Sequence, residues 1–183
     1  MKVNKTELDG VLIIEPDFFP DSRGFFFESY NKKKYEEAGM NFDFVQDNIS
    51  KSNKGTVRGL HYQVGEYAQG KLCQVLTGSV MDVAVDIRKS SPTYGKHVSV
   101  ELTGENHKQI WIPPGFAHGF SVLEDNTIFS YKCTAFYSKA DERAILYNDA
   151  DLNINWKTEK PIVSEKDLNA KRFSEIEPDF IYK

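Results

Sequence analysis

Two stretches carry the histidines best placed to do chemistry: Arg58-Gly59-Leu60-His61-Tyr62-Gln63 and Ile112-Pro113-Pro114-Gly115-Phe116-Ala117-His118-Gly119-Phe120. In the first, His61 and Gln63 are two apart, the separation at which a β-strand aims two side chains at one cavity. A metal centre would want a second ligand where Gln63 stands. In the second, a Pro-Pro-Gly turn feeds a strand bearing His118, which suits a polar residue at a barrel mouth. A surface turn with a satisfied His is the plainer alternative. First-row metal sites usually converge three or four His, Cys, Asp or Glu groups. The chain has four His, of which His107 lies in a turn-like segment and His97 begins a distant strand. Cys73 and Cys133 sit in apolar runs without a CxxC spacing and read as reduced packing residues. A metal site is therefore short of ligands. His61 suits a general base, since an imidazole pKa of about 6.5 leaves it mostly neutral at pH 7.

Other groups extend the inventory. Ser164 stands three residues before Asp167, a capping-box-like start to a short helix. If the strand near 127–137 is regular, Phe129, Tyr131, Cys133, Ala135 and Tyr137 share one side. Tyr131 and Tyr137 then lie at most about 20 Å apart, at roughly 3.3 Å per residue. Arg23 and Arg58 could hold a phosphate through bidentate guanidinium contacts, or make ordinary surface ion pairs. Lys71 opens a strand after Gly70, a common place for a solvated lysine.

The elements that must position these groups are mostly strands. Runs rich in Val, Ile, Phe and Tyr predict strands near 11–16, 24–30, 44–50, 56–63, 71–77, 80–87, 97–102, 108–113, 117–123 and 127–137. In "VMDVAVDI" Met81, Val83, Val85 and Ile87 alternate with Asp82, Ala84 and Asp86, so one side faces a packed layer and the other something polar. Asp82 and Asp86 have no assigned role: orienting His118, meeting solvent and joining an internal network all fit. Helices are few: one from Asn31 to Gly39, one after Ser164. The tail after 173 reads as a loosely attached end. The expected architecture is all-β with short peripheral helices, in one domain over 1–183.

The net charge of −4 argues against a general nucleic-acid or membrane-surface binder, so an anionic ligand needs a local basic site. No run approaches the roughly 20 apolar residues of a membrane span, and "MKVNKTELDG" lacks an apolar signal core. A soluble, cytoplasmic protein is expected.

The pairing of "HYQ" with "PPGFAHGF" resembles the two motifs of the cupin superfamily, whose fold is a jelly roll. The motifs "DSRGFFFESY", "FVQDNISKS", "VRGLHYQ", "QGKL", "DVAVDIRKSSPTYG", "IPPGFAHGF", "YKCTAFY" and "SEKDLNAK" together resemble the dTDP-4-dehydrorhamnose 3,5-epimerase family, from about Val11 to Lys171. The resemblance implies a cupin-type jelly roll and an isomerase without metal or cofactor. It implies inversion of carbons 3 and 5 of a dTDP-4-keto-6-deoxy sugar, in dTDP-rhamnose biosynthesis. Such a reaction removes a proton beside the ketone, holds an enolate and returns a proton on the opposite face. By resemblance His61 is the base, Asp167 orients it, Tyr131 is the acid and Lys71 stabilises the enolate. His118 contacts the sugar and Tyr137 stacks on the thymine. Arg23, Glu28, Gln46, Asp47, Asn48, Arg58, Glu142 and Lys166 surround the ligand. The resemblance also implies a homodimer whose N-terminal segment crosses to its partner, carrying Arg23 and Glu28. Cys73 and Gln74 depart from the family pattern, which has an apolar residue and often a basic one there.

Three other readings compete. An epimerase of one carbon only would share nearly every motif. A metal-dependent cupin oxygenase would bind iron. A non-catalytic nucleotide-sugar binder would not need an opposed acid and base.

Overall fold

Alternating short strands close here into two stacked antiparallel sheets. The computed structural model describes residues 1–182. In chain order the strands are β1 Lys2–Lys5, β2 Leu12–Glu15, β3 Phe18–Asp21, β4 Gly24–Phe27, β5 Gln46–Ser52, β6 Val57–Gln63, β7 Lys71–Thr77 and β8 Ser79–Asp86. There follow β9 Arg88–Lys89, β10 His97–Thr103, β11 Gln109–Ile112, β12 Phe116–Val122, β13 Thr127–Cys133, β14 Glu142–Ala144 and β15 Phe180–Ile181. One sheet has the order β1-β2-β11-β7-β13-β5 and the other β10-β8-β12-β6-β14, with β3-β4 and β9-β15 as separate pairs. This is the all-β jelly roll of the cupin type.

The layer between the sheets is apolar at its closed end, where Val75, Val80, Leu102, Ile110, Phe120 and Phe129 pack together. Full burial of each such side chain stabilises the fold by about 1.5–3 kcal/mol. A second cluster, including Val57, Leu60, Val83, Val85, Ile145 and Trp156, covers the outer face of β6 and β8. Both faces of β8 are therefore buried, and the polar side expected of it is an interior one: Asp82 and Asp86 are each 0 % exposed.

The helices follow their caps. α1, Lys32–Glu37, begins where the Asn31 side chain accepts the Lys34 N–H, and the chain turns out at Gly39 with φ +87°. α2, Glu165–Leu168, is a single turn whose Ser164 hydroxyl accepts the Asp167 N–H at 3.2 Å. One turn supplies little macrodipole, so the charge of Asp167 depends on its direct partners.

Two sequence expectations fail. The last long strand stops at Cys133, so Tyr137 sits on the loop beyond it rather than on one face with Tyr131. The tail after 173 is docked: Phe180 and Ile181 pair with Arg88 and Lys89, and the Tyr182 N–H donates to the Lys89 carbonyl at 2.9 Å. Phe173, Ile176 and Phe180 pack on the second cluster, and that apolar burial holds the end down. Five short strands, β1, β3, β9, β14 and β15, lacked a long enough alternation to be read from sequence. No helix among the described residues is long and apolar enough to cross a membrane.

Candidate active site

The open end of the sandwich holds a cavity of about 500 Å³ whose wall includes Arg58, His61, Lys71, His118, Tyr131, Lys166 and Asp167. β6 and β12 bring the two histidines together, since His61 and His118 are directly paired. Arg58 and His61 are three apart and would face opposite ways on a regular strand. The register explains why both line the cavity: two steps on β12, His118 to Phe120, match three on β6, His61 to Arg58. The extra residue is a bulge that reverses the facing of Arg58. It is built on Gly59, at φ +124°, where a Cβ would lie 2.5 Å from the Gly119 Cα. Only glycine fits there.

His61 Nε2 lies 2.6 Å from Asp167 Oδ1 across 106 residues of sequence. A carboxylate only accepts, so Nε2 carries the hydrogen and donates it, leaving Nδ1 with a lone pair. The Gly59 N–H reaches the other oxygen at 3.4 Å. Burial pushes the Asp167 carboxyl up, but the His61 hydrogen bond and charge, the Gly59 N–H and the Ser164 hydroxyl outweigh it and hold it below its ordinary value. Asp167 is thus both the third residue of a capped turn and the partner of the histidine. His61 is about a third exposed and Asp167 nearly closed off, as suits a base facing a cavity and a carboxylate behind it.

Tyr131 lines the same cavity from the opposite sheet, paired with Asn48 on β5 and Cys73 on β7. Burial first, and then Cys133 and Cys73, push its phenol up to about 12, with Arg58 pulling the other way. It is fully protonated at neutral pH and can donate. Lys71 and Arg58 bring positive charge to the wall, and neither has a carboxylate partner among the described residues; Arg58 donates only to the Ser52 hydroxyl, at 3.2 and 3.1 Å. An acidic protein therefore presents a locally basic cavity.

A smaller cavity of about 110 Å³ adjoins the first, sharing His61, Lys71 and Tyr131 and adding Gln46, Asn48, Tyr137 and Glu142. Tyr137 donates to Glu142 at 2.9 Å, and Lys166 reaches the same carboxylate oxygen at 2.5 Å. Burial pushes Glu142 up, but these two contacts and the Lys166 charge prevail and keep it low. Gln63, the residue that spoiled the metal reading, is a clamp. It donates to the Tyr67 and Phe136 carbonyls at 2.8 and 3.0 Å and accepts the Ser138 N–H at 2.7 Å, pinning the loop that presents Tyr137. Gln46 accepts the Tyr137 N–H at 3.0 Å.

Three residues assigned by resemblance lie elsewhere in this chain. Asp47 is on the far face of β5, bonded to Lys132 at 2.9 Å, because its neighbours Gln46 and Asn48 face in and strands alternate. Arg23 is at the tip of the β3-β4 hairpin, its side chain 88 % exposed and paired with Asp21 at 2.7 Å. Glu28 follows the hairpin and binds Lys34 and Asn31. Conversely, Ser50 lines the cavity unannounced. Alternation from Asn48 pointed to it.

Asp82 and Asp86 are resolved by their partners. Both oxygens of Asp82 face His118 Nε2, at 3.1 and 3.0 Å. Asp86 belongs to an internal network with Arg88, Ser91 and Thr93. The sequence-based count of metal ligands was too low in one respect, since Cys73, read as packing, comes together with Asp82 and His118.

Comparison with known proteins bears on this site. Residues 5–175 match the family model described as dTDP-4-dehydrorhamnose 3,5-epimerase. A dTDP-4-dehydrorhamnose 3,5-epimerase of Shigella flexneri is 58% identical over 94% of this chain and 96% of its own. The crystal structure of the Elizabethkingia anophelis NUHP1 enzyme of that name has a TM-score of 0.91 and 53% identity, covering 96% of this chain and 97% of that one. The dTDP-6-deoxy-D-glucose-3,5-epimerase of Legionella pneumophila Philadelphia 1, solved in complex with dTDP-4-keto-L-rhamnose, has a TM-score of 0.96 and 49% identity over 100% of this chain and 98% of that one. Near-complete coverage at such identity leaves one conclusion: this chain is an isomerase belonging to the dTDP-4-dehydrorhamnose 3,5-epimerase family.

Proposed function

We propose that this epimerase inverts carbons 3 and 5 of dTDP-4-dehydro-6-deoxy-D-glucose with His61 as the base and Tyr131 as the acid. The observation that carries the assignment is the 2.6 Å His61–Asp167 contact in a cavity that Lys71 and Tyr131 line from the opposite sheet. With Nε2–H held by Asp167, His61 Nδ1 takes the proton beside the ketone, and the imidazolium formed is stabilised by the carboxylate behind it. The electron pair moves onto the carbonyl oxygen, where the Lys71 ammonium offsets the developing charge. Tyr131 then delivers a proton to the opposite face. Repetition at the second carbon, on the other side of the same ketone, gives dTDP-4-dehydro-L-rhamnose for dTDP-rhamnose biosynthesis in the cytoplasm. His118 holds the sugar, Arg58 and Lys166 meet the diphosphate, and the smaller cavity takes the thymine against Tyr137, with Gln46, Asn48 and Glu142 around it. None of these steps assigns work to a metal.

The test is incubation with the 4-keto substrate in deuterated water, followed by NMR. Deuterium at both carbons is expected. Label at one carbon only would leave a single-site epimerase, and no label would end the proton-transfer reading.

Arg23 and Glu28 are placed by a homodimer. The hairpin that bears Arg23 exposes Phe19, Phe25 and Phe26 at 57%, 59% and 65%, an apolar surface that water disfavours and a second copy would cover. In this arrangement the hairpin crosses to its neighbour and Arg23 and Glu28 complete the neighbour's cavity. The Phe25→Asp/Phe26→Asp variant should sediment as a monomer and bind dTDP about tenfold more weakly, about 1.4 kcal/mol. A wild-type protein that is monomeric and fully active would exclude the exchange.

A further inference from the structure

Asp82 and Asp86 are both fully buried on β8, yet they are supplied very differently. Asp86 accepts from the Arg88 backbone N–H at 2.9 Å, from Arg88 Nε and Nη2 at 2.9 and 2.7 Å, and from Ser91 and Thr93 at 2.6 and 2.7 Å. Asp82 has one donor among the described residues, His118 Nε2, shared between its two oxygens at 3.1 and 3.0 Å. An ionised carboxylate offers roughly four acceptor positions, and a buried charge with so few partners is costly. Cys73 Sγ lies 3.9 Å from that same Nε2, in one cluster with the Asp82 carboxylate. Cys73 is also fully buried, and burial pushes its thiol well up, so by itself it is a neutral packing group.

We propose that Cys73, Asp82 and His118 form a binding site for a thiophilic divalent cation of the zinc type, one layer below the sugar cavity. The ligand atoms are all within 4.8 Å of one another. An ion about 2.0–2.3 Å from each ligand would hold them about 3.3–3.6 Å apart in tetrahedral geometry, and the 3.0 and 3.9 Å separations already bracket that. Thiolate, carboxylate and neutral imidazole suit zinc in hardness, and water can take the fourth position. Charge favours the same ion. Two anionic ligands and a divalent cation sum to zero, the balance a site walled by Phe120 and Phe129 requires. Starting from a neutral thiol and a neutral imidazole, the cation displaces one proton, the thiol's, to solvent, and the imidazole proton moves from Nε2 to Nδ1 so that Nε2 can ligate. Access runs past the His118 ring, which lines the cavity; Cys73 is two residues beyond Lys71 on the inner face of β7.

Cobalt(II) reports such a site directly. Full-length protein stripped with a chelator and titrated with Co²⁺ should bind one ion per chain, with a thiolate-to-cobalt charge-transfer band and the intense visible bands of tetrahedral cobalt, and Zn²⁺ should displace it. Cys73→Val and Asp82→Asn should each lose the thiolate band, while Cys133→Ser should keep it. Near-ultraviolet circular dichroism checks folding, and Cys73→Ala serves if the valine variant does not fold. Cobalt bound without the thiolate band, a band that survives loss of Cys73, or no binding by the folded protein would each overturn the site. Because His118 lines the cavity, Zn²⁺ should also lower turnover, a consequence that rests on the proposed sugar contact of His118. Stoichiometric binding with unchanged turnover would uphold the metal site and remove His118 from the substrate contacts.

Discussion

His61→Ala should abolish deuterium exchange at both carbons while dTDP still binds. Positioned general bases contribute about 10²–10⁴-fold, and one imidazole is here asked to serve both carbons. Exchange at the wild-type rate would refute His61 as the base. The variant also leaves Asp167, nearly fully buried, without the partner that holds it at 2.6 Å. An unsatisfied buried acceptor costs about 1–3 kcal/mol, so a drop in melting temperature should accompany the loss of activity. The double variant His61→Ala/Asp167→Asn separates the two effects: it removes the stranded charge and should recover much of the stability, but none of the exchange. If it recovered neither, the pair would be holding the fold through some other contact.

Tyr131→Phe should have a different signature. The change deletes one oxygen from a ring that stays packed near Phe129, at 5.9 Å between centroids. His61 and Lys71 remain, so the enolate still forms and the proton beside the ketone still exchanges with solvent. What is lost is delivery to the opposite face. Epimerised product should fall by about 10²–10⁴-fold, while deuterium continues to enter recovered substrate. The ratio of exchange to inversion is the decisive reading: a parallel fall in both would mean that Tyr131 acts before or during enolate formation. The phenol, pushed up to about 12, is a reluctant donor by itself. The cationic Lys71 and Arg58 lining the same cavity favour the phenolate left after transfer, which is why a weak acid can serve here.

Strand positions were legible because alternation is a local property. β6, β7 and β12 fall within a residue or two of where their apolar runs placed them, and the caps at Asn31 and Ser164 work as their side chains suggest. The same rule, applied strictly, would have turned Asp47 away from the cavity and brought Ser50 into it. Alternation misled in two places. It extended the last long strand to Tyr137, although the chain leaves the sheet after Cys133, where Gln63 and Gln46 capture the loop. It also gives Arg58 and His61 opposite faces. The bulge at Gly59 that reunites them depends on the close approach of Gly119 from another strand.

By itself, then, the sequence determined the kinds of groups available and the strands that carry them: an imidazole and a phenol for proton transfer, lysine and arginine for negative charge, and an all-β frame. Those follow from side-chain chemistry and from a two-residue period, both readable over a few positions. Only the tertiary structure decided which groups meet. The Asp167 carboxylate reaches His61 across 106 residues, and Cys73 reaches His118 across 45, because sheet pairing and the docked turn of α2 bring them together. Asp82 shows the difference most plainly. Its place on an alternating strand was evident, but whether it met solvent, a network or a histidine depended on both faces of β8 being covered by distant parts of the chain.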